Sequence, residues 1–300
     1  VTGLRAVAQQ ERGWAVDLWG AGTVGGRLLP LFREAGVPVA SIHRRSGTTR
    51  FEAAGRSVFV DATPPAFSGP AAEAWVVRIE EALARGTPVV TCNKAPLALA
   101  WARLDRAARD DGVPFVATAT VGGGTPILPA LRGLHAERGV TAIEATLSGT
   151  LGLVVPLVKA GASLADAVAQ AQAVGYCEPD PTVDLDGTDA WAKACILHNA
   201  LWPEEPPIGL RDRPAPLALR ERDIRSLDSP AVVANLGPGR VSLELRDWAH
   251  GPDGGICVRA EAAGGTVALS GAGAGPEATA RVLVADVLAV AAGRLPPGIR

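Results

Sequence analysis

Residues 175–193 concentrate groups able to bind and protonate a small polar molecule. The run Gly175-Tyr176-Cys177-Glu178-Pro179-Asp180-Pro181-Thr182-Val183-Asp184-Leu185-Asp186-Gly187-Thr188-Asp189-Ala190-Trp191-Ala192-Lys193 holds five acids, the only tyrosine of the chain and one of its three lysines. Asp189 and Lys193 lie four apart, so on a helix they stack on one face. Apolar neighbours on both sides (Ala190-Trp191-Ala192 and Ala194-Cys195-Ile196-Leu197) predict a desolvated ammonium held by carboxylates such as Asp189, a setting that tunes a proton donor. Two plainer readings compete. A calcium loop aligned on Gly187 puts Thr182 at its first ligand position and Lys193 where a bidentate Glu must stand, so it fails. A solvated acidic loop capping a helix fits the charge pattern alone, but not a lysine set in an apolar run.

The scarcity of lysine sharpens this. Of 29 basic side chains only Lys94, Lys159 and Lys193 are lysines. Arginine solubilises a surface equally well but is no compact, titratable ammonium, so each retained lysine is a candidate for chemistry. Lys159 precedes Ala160-Gly161 and reads as a cation at a helix C-terminus, a structural role. Lys94 follows Thr91-Cys92-Asn93 at the end of an apolar run.

A third cluster is Gly20-Ala21-Gly22-Thr23-Val24-Gly25, placed between a strand-like run (Trp14 to Trp19) and an apolar helical stretch through Leu28, Leu29 and Phe32. In that frame the first glycine allows the turn, the second admits a pyrophosphate, and the third lets helix and strand pack. The loop is thus read as a dinucleotide site. The next strand ends in His43-Arg44-Arg45-Ser46, with no acid from Val37 to Arg50 to take ribose hydroxyls. Arg44, Arg45 and Ser46 suit a 2′-phosphate, so NADP(H) is expected over NAD(H). Thr63, Asn93 and Lys94 fall at further strand ends, and are expected at the same cofactor crevice, with Lys94 toward the nicotinamide.

The elements that must position these groups follow from the alternation of apolar runs. Strands are predicted at Trp14–Trp19, Val37–Ile42, Val58–Ala62, Pro88–Cys92 and Pro114–Ala119, with helices near Ala71–Arg85 and Leu97–Asp110. This is an α/β pattern, a Rossmann-type doubly wound parallel sheet. After Val121 the texture changes. A strand is predicted over Thr141–Leu147, helices over Leu164–Val174 and Thr188–Leu201, short strands with glycine turns over Val232–Ala263, and an amphipathic helix over Ala278–Ala292. The expected organisation is a nucleotide-binding domain (1–121), a mixed α/β catalytic and dimerisation domain (122–274), and a C-terminal helix (275–300) returning to the first. The 300 residues carry a net charge of −2, which gives no basic footprint for nucleic acid or anionic lipid. With no membrane-length apolar run, no signal-like start and four cysteines lacking any CxxC spacing, a cytoplasmic location is expected.

The acidic run resembles the substrate and catalytic segment of homoserine dehydrogenases. The similarity extends in family order to VVTCNKAPLA at Val89, ATVGGGTPILPALR at Ala119, SGT at Ser148 and GAGAGPEATARVLVADVL at Gly271, over nearly the whole chain. The resemblance implies reversible NAD(P)-dependent interconversion of homoserine and aspartate 4-semialdehyde, within threonine and methionine biosynthesis, by a homodimer. It implies Lys193 and Lys94 as catalytic lysines, and a substrate site of Glu178, Asp184, Asp189, Thr150, Gly175 and Tyr176. It also implies a weak sodium-type cation site at Val121 and Gly123, although the glutamate some members use there is Thr118 here. Where the family continues GT with Asn and an aromatic, this chain has Leu151-Gly152-Leu153, and the segment Ile256–Gly271 is short. Those departures keep two alternatives open: a dehydrogenase of another small amino-acid semialdehyde, and a non-catalytic NADP-binding regulator.

Overall fold

The computed structural model of the chain describes residues 13–52, 55–177, 180–248, 255–272 and 275–300. It divides into two compact units, Val1–Gly124 with Gly275–Arg300, and Thr125–Ala274.

The first unit is built on a seven-stranded sheet. Its strands are β1 (Trp14–Trp19), β2 (Val39–Arg44), β3 (Gly47–Arg50), β4 (Arg56–Asp61), β5 (Val89–Thr91), β6 (Pro114–Val116) and a C-terminal strand at Gly298–Ile299. The order is β3-β2-β1-β4-β5-β6 and then the C-terminal strand, parallel throughout except for the antiparallel β2–β3 edge. Crossovers are made by α1 (Gly25–Ala35), α2 (Gly69–Ala84) and α3 (Lys94–Asp110). Such a sheet is buried on both faces, hence strands of nearly continuous Val, Leu, Ile and Phe. Val16, Leu18, Val58 and Val60 pack in one cluster with Leu28 and Phe32 of α1 and with Leu283, Val287 and Leu288 of the C-terminal helix Pro276–Ala291.

The doubly wound parallel sheet expected from the pattern is present, with three local differences. The strand expected at Val37–Ile42 runs two residues later and turns back as β3, a hairpin. The strand expected through Ala119 stops at Val116, and Thr118–Thr120 forms a 3-10 turn. The helix expected from Leu97 begins at Lys94, because Asn93 Oδ1 accepts the Ala95 amide at 3.1 Å and caps it.

The second unit carries a five-stranded antiparallel sheet of β7 (Ala142–Thr146), β8 (Pro230–Gly237), β9 (Arg240–Asp247), β10 (Ile256–Ala262) and β11 (Gly265–Gly271), ordered β11-β10-β7-β8-β9. Its helices are α4 (Ile127–Arg138), α5 (Gly149–Lys159), α6 (Leu164–Ala173), the single turn α7 (Thr182–Leu185), α8 (Thr188–Leu201) and α9 (Glu221–Ser226). α8 is buried all round from Asp189 to Asn199, its mostly apolar side chains interrupted by Asp189, Lys193, His198 and Asn199. Lys159 closes α5 and donates to the carbonyls of Arg225 and Leu227, the structural role expected of it.

Candidate active site

The glycine loop has a geometry its sequence dictates. Gly20 follows β1 at φ 89°, and a Cβ there would lie 2.7 Å from the Ala62 carbonyl oxygen. A Cβ on Gly25 would lie 1.8 Å from the Gly20 carbonyl oxygen, while one on Gly22 would meet nothing within 4 Å. The turn itself therefore demands the outer two glycines, and the middle one leaves a cradle open to an approaching group. α1 starts from this loop with no side-chain cap and no acid in its first turn, so its amide end is left to favour an anion. These features fit a dinucleotide pyrophosphate.

Arg44, Arg45 and Ser46 form the exposed tip of the β2–β3 hairpin, and Arg44 donates to Thr49 Oγ1 at 3.2 Å. The hairpin is pinned from behind by His43, whose ring stacks on Trp19 with centroids 3.7 Å apart and planes 3° apart. Ser41 donates to Asp17 at 2.7 Å, so it accepts from His43 Nε2 at 2.8 Å, which leaves Nδ1 to accept from the Thr48 hydroxyl at 3.0 Å. Burial holds the His43 pKa below the ordinary imidazole value, with Asp17 opposing and Arg50 and Arg78 adding to the effect.

At the carboxyl ends of β4 and β5, Asn93 Nδ2 donates to Thr63 Oγ1 at 3.1 Å, and Lys94 opens α3 beside them. Both lean on Asp61, a fully buried carboxylate. Burial pushes Asp61 up to about 6, against hydrogen bonds from Thr63, Thr91 and Asn93 that pull it down. Burial and the neighbouring Asp61 push the Cys92 thiol up to about 12, which removes it as a nucleophile.

In the second unit, Lys193 of α8 is 9% exposed and pairs with Asp189 Oδ2 at 2.7 Å. Its Nζ also donates to the Leu147 carbonyl at 2.8 Å. That carbonyl precedes Ser148, whose hydroxyl caps α5 by accepting the Leu151 amide at 3.2 Å. Buried Thr150 donates to the Tyr176 carbonyl at 2.6 Å, which anchors the turn at Gly175 (φ 78°). Asp184 lies against the Cys177 thiol, Sγ to Oδ2 3.9 Å. Hydrogen bonds thus join segments 147–150, 175–177 and 189–193. The Tyr176 side chain itself is exposed, and Glu178 lies outside the described residues.

Sequence reasoning passed over two groups here. Arg213 donates to the Asp186 carbonyl and the Thr188 hydroxyl and pairs with Asp186 Oδ1 at 3.6 Å, strapping the start of α8. Asp61 was visible as a strand-ending acid two residues before its partner Thr63, but its other partner, Thr91, lies 30 residues away. Thr118, Val121 and Gly123 sit on and just after the 3-10 turn. The Thr118 hydroxyl is committed to Asp286, whose carboxyl burial pushes up to about 7. Position 118 therefore offers no carboxylate to a cation, and among the described residues no cluster of His, Cys, Asp or Glu has the makings of a metal site.

A family model described as homoserine dehydrogenase matches residues 126–214. The homoserine dehydrogenase of Pyrococcus horikoshii is 30% identical over 215 residues, 69% of this chain and 65% of that protein. This chain belongs to the homoserine dehydrogenase family. The NAD(+)-dependent homoserine dehydrogenase of Pseudomonas canavaninivorans is 42% identical over 120 residues, 40% of this chain. The chain spans 34% and 65% of the lengths of these two relatives. Among solved structures, a hyperthermophilic archaeal homoserine dehydrogenase in complex with NADPH superposes with TM-score 0.76 at 25% identity, covering 95% of this chain and 98% of that one. The homoserine dehydrogenase of Thermoplasma acidophilum gives TM-score 0.79 at 23% identity, over 93% and 99% of the two chains, a likeness of fold. Two departures from the homoserine dehydrogenase pattern have plain structural forms. Leu151-Gly152-Leu153 lies in the first turns of α5, and the short Ile256–Gly271 segment is the tight β10–β11 hairpin.

Proposed function

We propose that the protein is an NADP(H)-preferring homoserine dehydrogenase, acting as a cytoplasmic homodimer in threonine and methionine biosynthesis and interconverting homoserine and aspartate 4-semialdehyde. The observation that carries this reading is the buried Lys193–Asp189 pair with Lys193 Nζ on the Leu147 carbonyl. An ammonium has three N–H donors. Two are engaged, and the third is left for a substrate oxygen.

When bound, the reduced nicotinamide supplies a hydride to the aldehyde carbon, and negative charge develops on the aldehyde oxygen. Lys193 stabilises that charge, with Asp189 aiming the ammonium, and the proton reaches the oxygen from a lysine ammonium, Lys193 or Lys94. Asp184 and Glu178 take the substrate's own ammonium. The Gly20–Gly25 loop, open at Gly22, would hold the pyrophosphate, and Thr63 and Asn93 would hold the nicotinamide end. Arg44, Arg45 and Ser46 take the 2′-phosphate. No step is assigned to a cation, since Thr118 brings no carboxylate.

A steady-state assay with aspartate semialdehyde tests the reading. NADPH is expected to support turnover better than NADH, and Lys193→Ala to lose about 10²–10³ in kcat while remaining folded. An active Lys193→Ala enzyme would overturn the mechanism, and faster turnover of a different carbonyl compound would overturn the substrate. Light scattering checks the dimer.

A further inference from the structure

Asp61 ends β4 with no role in the reaction as drawn, yet it is completely buried and its carboxylate accepts three hydrogen bonds. Its Oδ1 accepts the Thr63 amide at 2.9 Å and the Thr63 hydroxyl at 2.5 Å, and its Oδ2 accepts the Thr91 hydroxyl at 3.3 Å. Thr91 Oγ1 in turn accepts the Asn93 amide at 2.9 Å, and Asn93 Nδ2 donates to Thr63 Oγ1 at 3.1 Å. The ring closes Asp61–Thr63–Asn93–Thr91 and back to Asp61. Asn93 Oδ1 also caps α3 at the Ala95 amide, 3.1 Å, beside Lys94.

Burying a carboxylate is costly, and a neutral side chain would fill the same space more cheaply. What an ionised carboxylate adds is direction. It can only accept, so the Thr63 hydroxyl hydrogen must point at it, and the Thr91 hydroxyl is drawn to Asp61 by two oxygens, Oδ2 at 3.3 Å and the main-chain carbonyl at 3.4 Å. Thr63 and Thr91 are then acceptors toward Asn93, and the Asn93 amide has one orientation that satisfies both its ends. A neutral acceptor–donor in its place would let the hydroxyls reverse and the amide flip.

We propose that Asp61 is a positioning residue for the cofactor: it fixes the hydroxyl directions of Thr63 and Thr91, and through them the side-chain amide of Asn93 and the first turn of α3. The inference rests on the proposed placing of Thr63, Asn93 and Lys94 at the nicotinamide end. It requires no particular carbonyl substrate.

The test is NADPH binding to the full chain without amino acid, followed by nicotinamide fluorescence, alongside separate KM values for cofactor and amino acid. Asp61→Asn keeps an oxygen for Thr63 but presents an NH₂ to Thr91, and is expected to weaken NADPH about tenfold. The amino-acid KM should stay within about twofold, since that site is built from other segments. Thr63→Val should match the Asp61→Asn loss, Thr63→Ser should restore most of the binding, and the double variant Asp61→Asn/Thr63→Val should be no worse than either single one. NADPH affinity within twofold of wild type in Asp61→Asn would overturn the proposal, as would equal losses for cofactor and amino acid. Should Asp61→Asn not fold, Thr91→Val carries the same pair of outcomes. Wild-type protein that binds no NADPH overturns the nucleotide site and this proposal together. Wild-type protein that binds NADPH but turns over no aspartate semialdehyde overturns the dehydrogenase reading and leaves the Asp61 proposal standing.

Discussion

Lys193 and Asp189 separate stability from chemistry. Their side chains are 11% and 13% exposed, so the ion pair compensates both for lost solvent. Removing the acid strands a buried ammonium, and Asp189→Ala is expected to cost about 3 kcal/mol of stability in urea unfolding. Lys193→Met leaves a carboxylate that can protonate and a well-filled space, so its stability should change far less while turnover collapses. Equal destabilisation by the two variants would contradict this account. Asp61 makes a pH prediction of its own. Its carboxyl sits at about 6 in the fold against 3.8 ordinarily. Between those values the native state keeps a proton the unfolded chain has released, so stability falls as pH rises through that window and is level above it. The two-unit shift corresponds to about 3 kcal/mol. Urea midpoints from pH 4 to 7 should show this component in the wild type and not in Asp61→Asn; an identical slope in both would refute it.

At the scale of elements, the hairpin β2–β3 is the part to disturb. Arg44 and Arg45 leave a rigid ribbon held by the His43–Trp19 stack and the Ser41–His43–Thr48 hydrogen bonds, not a loose loop. Arg44→Ala/Arg45→Ala should raise the NADPH KM about tenfold or more and leave the NADH KM nearly unchanged; a parallel rise in both would show that these arginines do not read the 2′-phosphate. The same ribbon marks where sequence reasoning stops. α8 was legible to the residue, because Thr188–Leu201 is a mostly apolar run behind a glycine and an acidic turn. β3 was not, since Gly47-Thr48-Thr49-Arg50 is polar and exposed throughout and shows no alternation. Of α5 only the C-terminal end at Lys159 was legible, since Gly152 and Pro156 punctuate a helix that burial nevertheless sustains. In the candidate site, the Asp189–Lys193 pair followed from i,i+4 spacing. The Arg213 strap and the Asp61–Thr91 contact that closes the ring did not, because those partners are 25 and 30 residues distant. Arg213→Ala should accordingly loosen the start of α8, lowering Tm by several degrees and reducing kcat; unchanged values would make the strap incidental.

For the molecule as a whole, the first unit is discontinuous. Residues 275–300 come back to it after the whole second unit, and the C-terminal helix places Leu283, Val287 and Leu288 in the cluster that backs β1 and α1. Leu283→Ala is expected to cost about 2–5 kcal/mol, as much as a substitution in the central strands. Among the described residues no helix is long and apolar enough to cross a membrane. The returning helix also imposes an order of events at the ribosome. A chain halted after β11 has its glycine loop synthesised but the apolar backing of β1 still open to water, so it should neither resist protease nor retain nicotinamide dinucleotide. Both properties should emerge together once the C-terminal helix clears the exit tunnel, which makes the second unit the first able to finish folding.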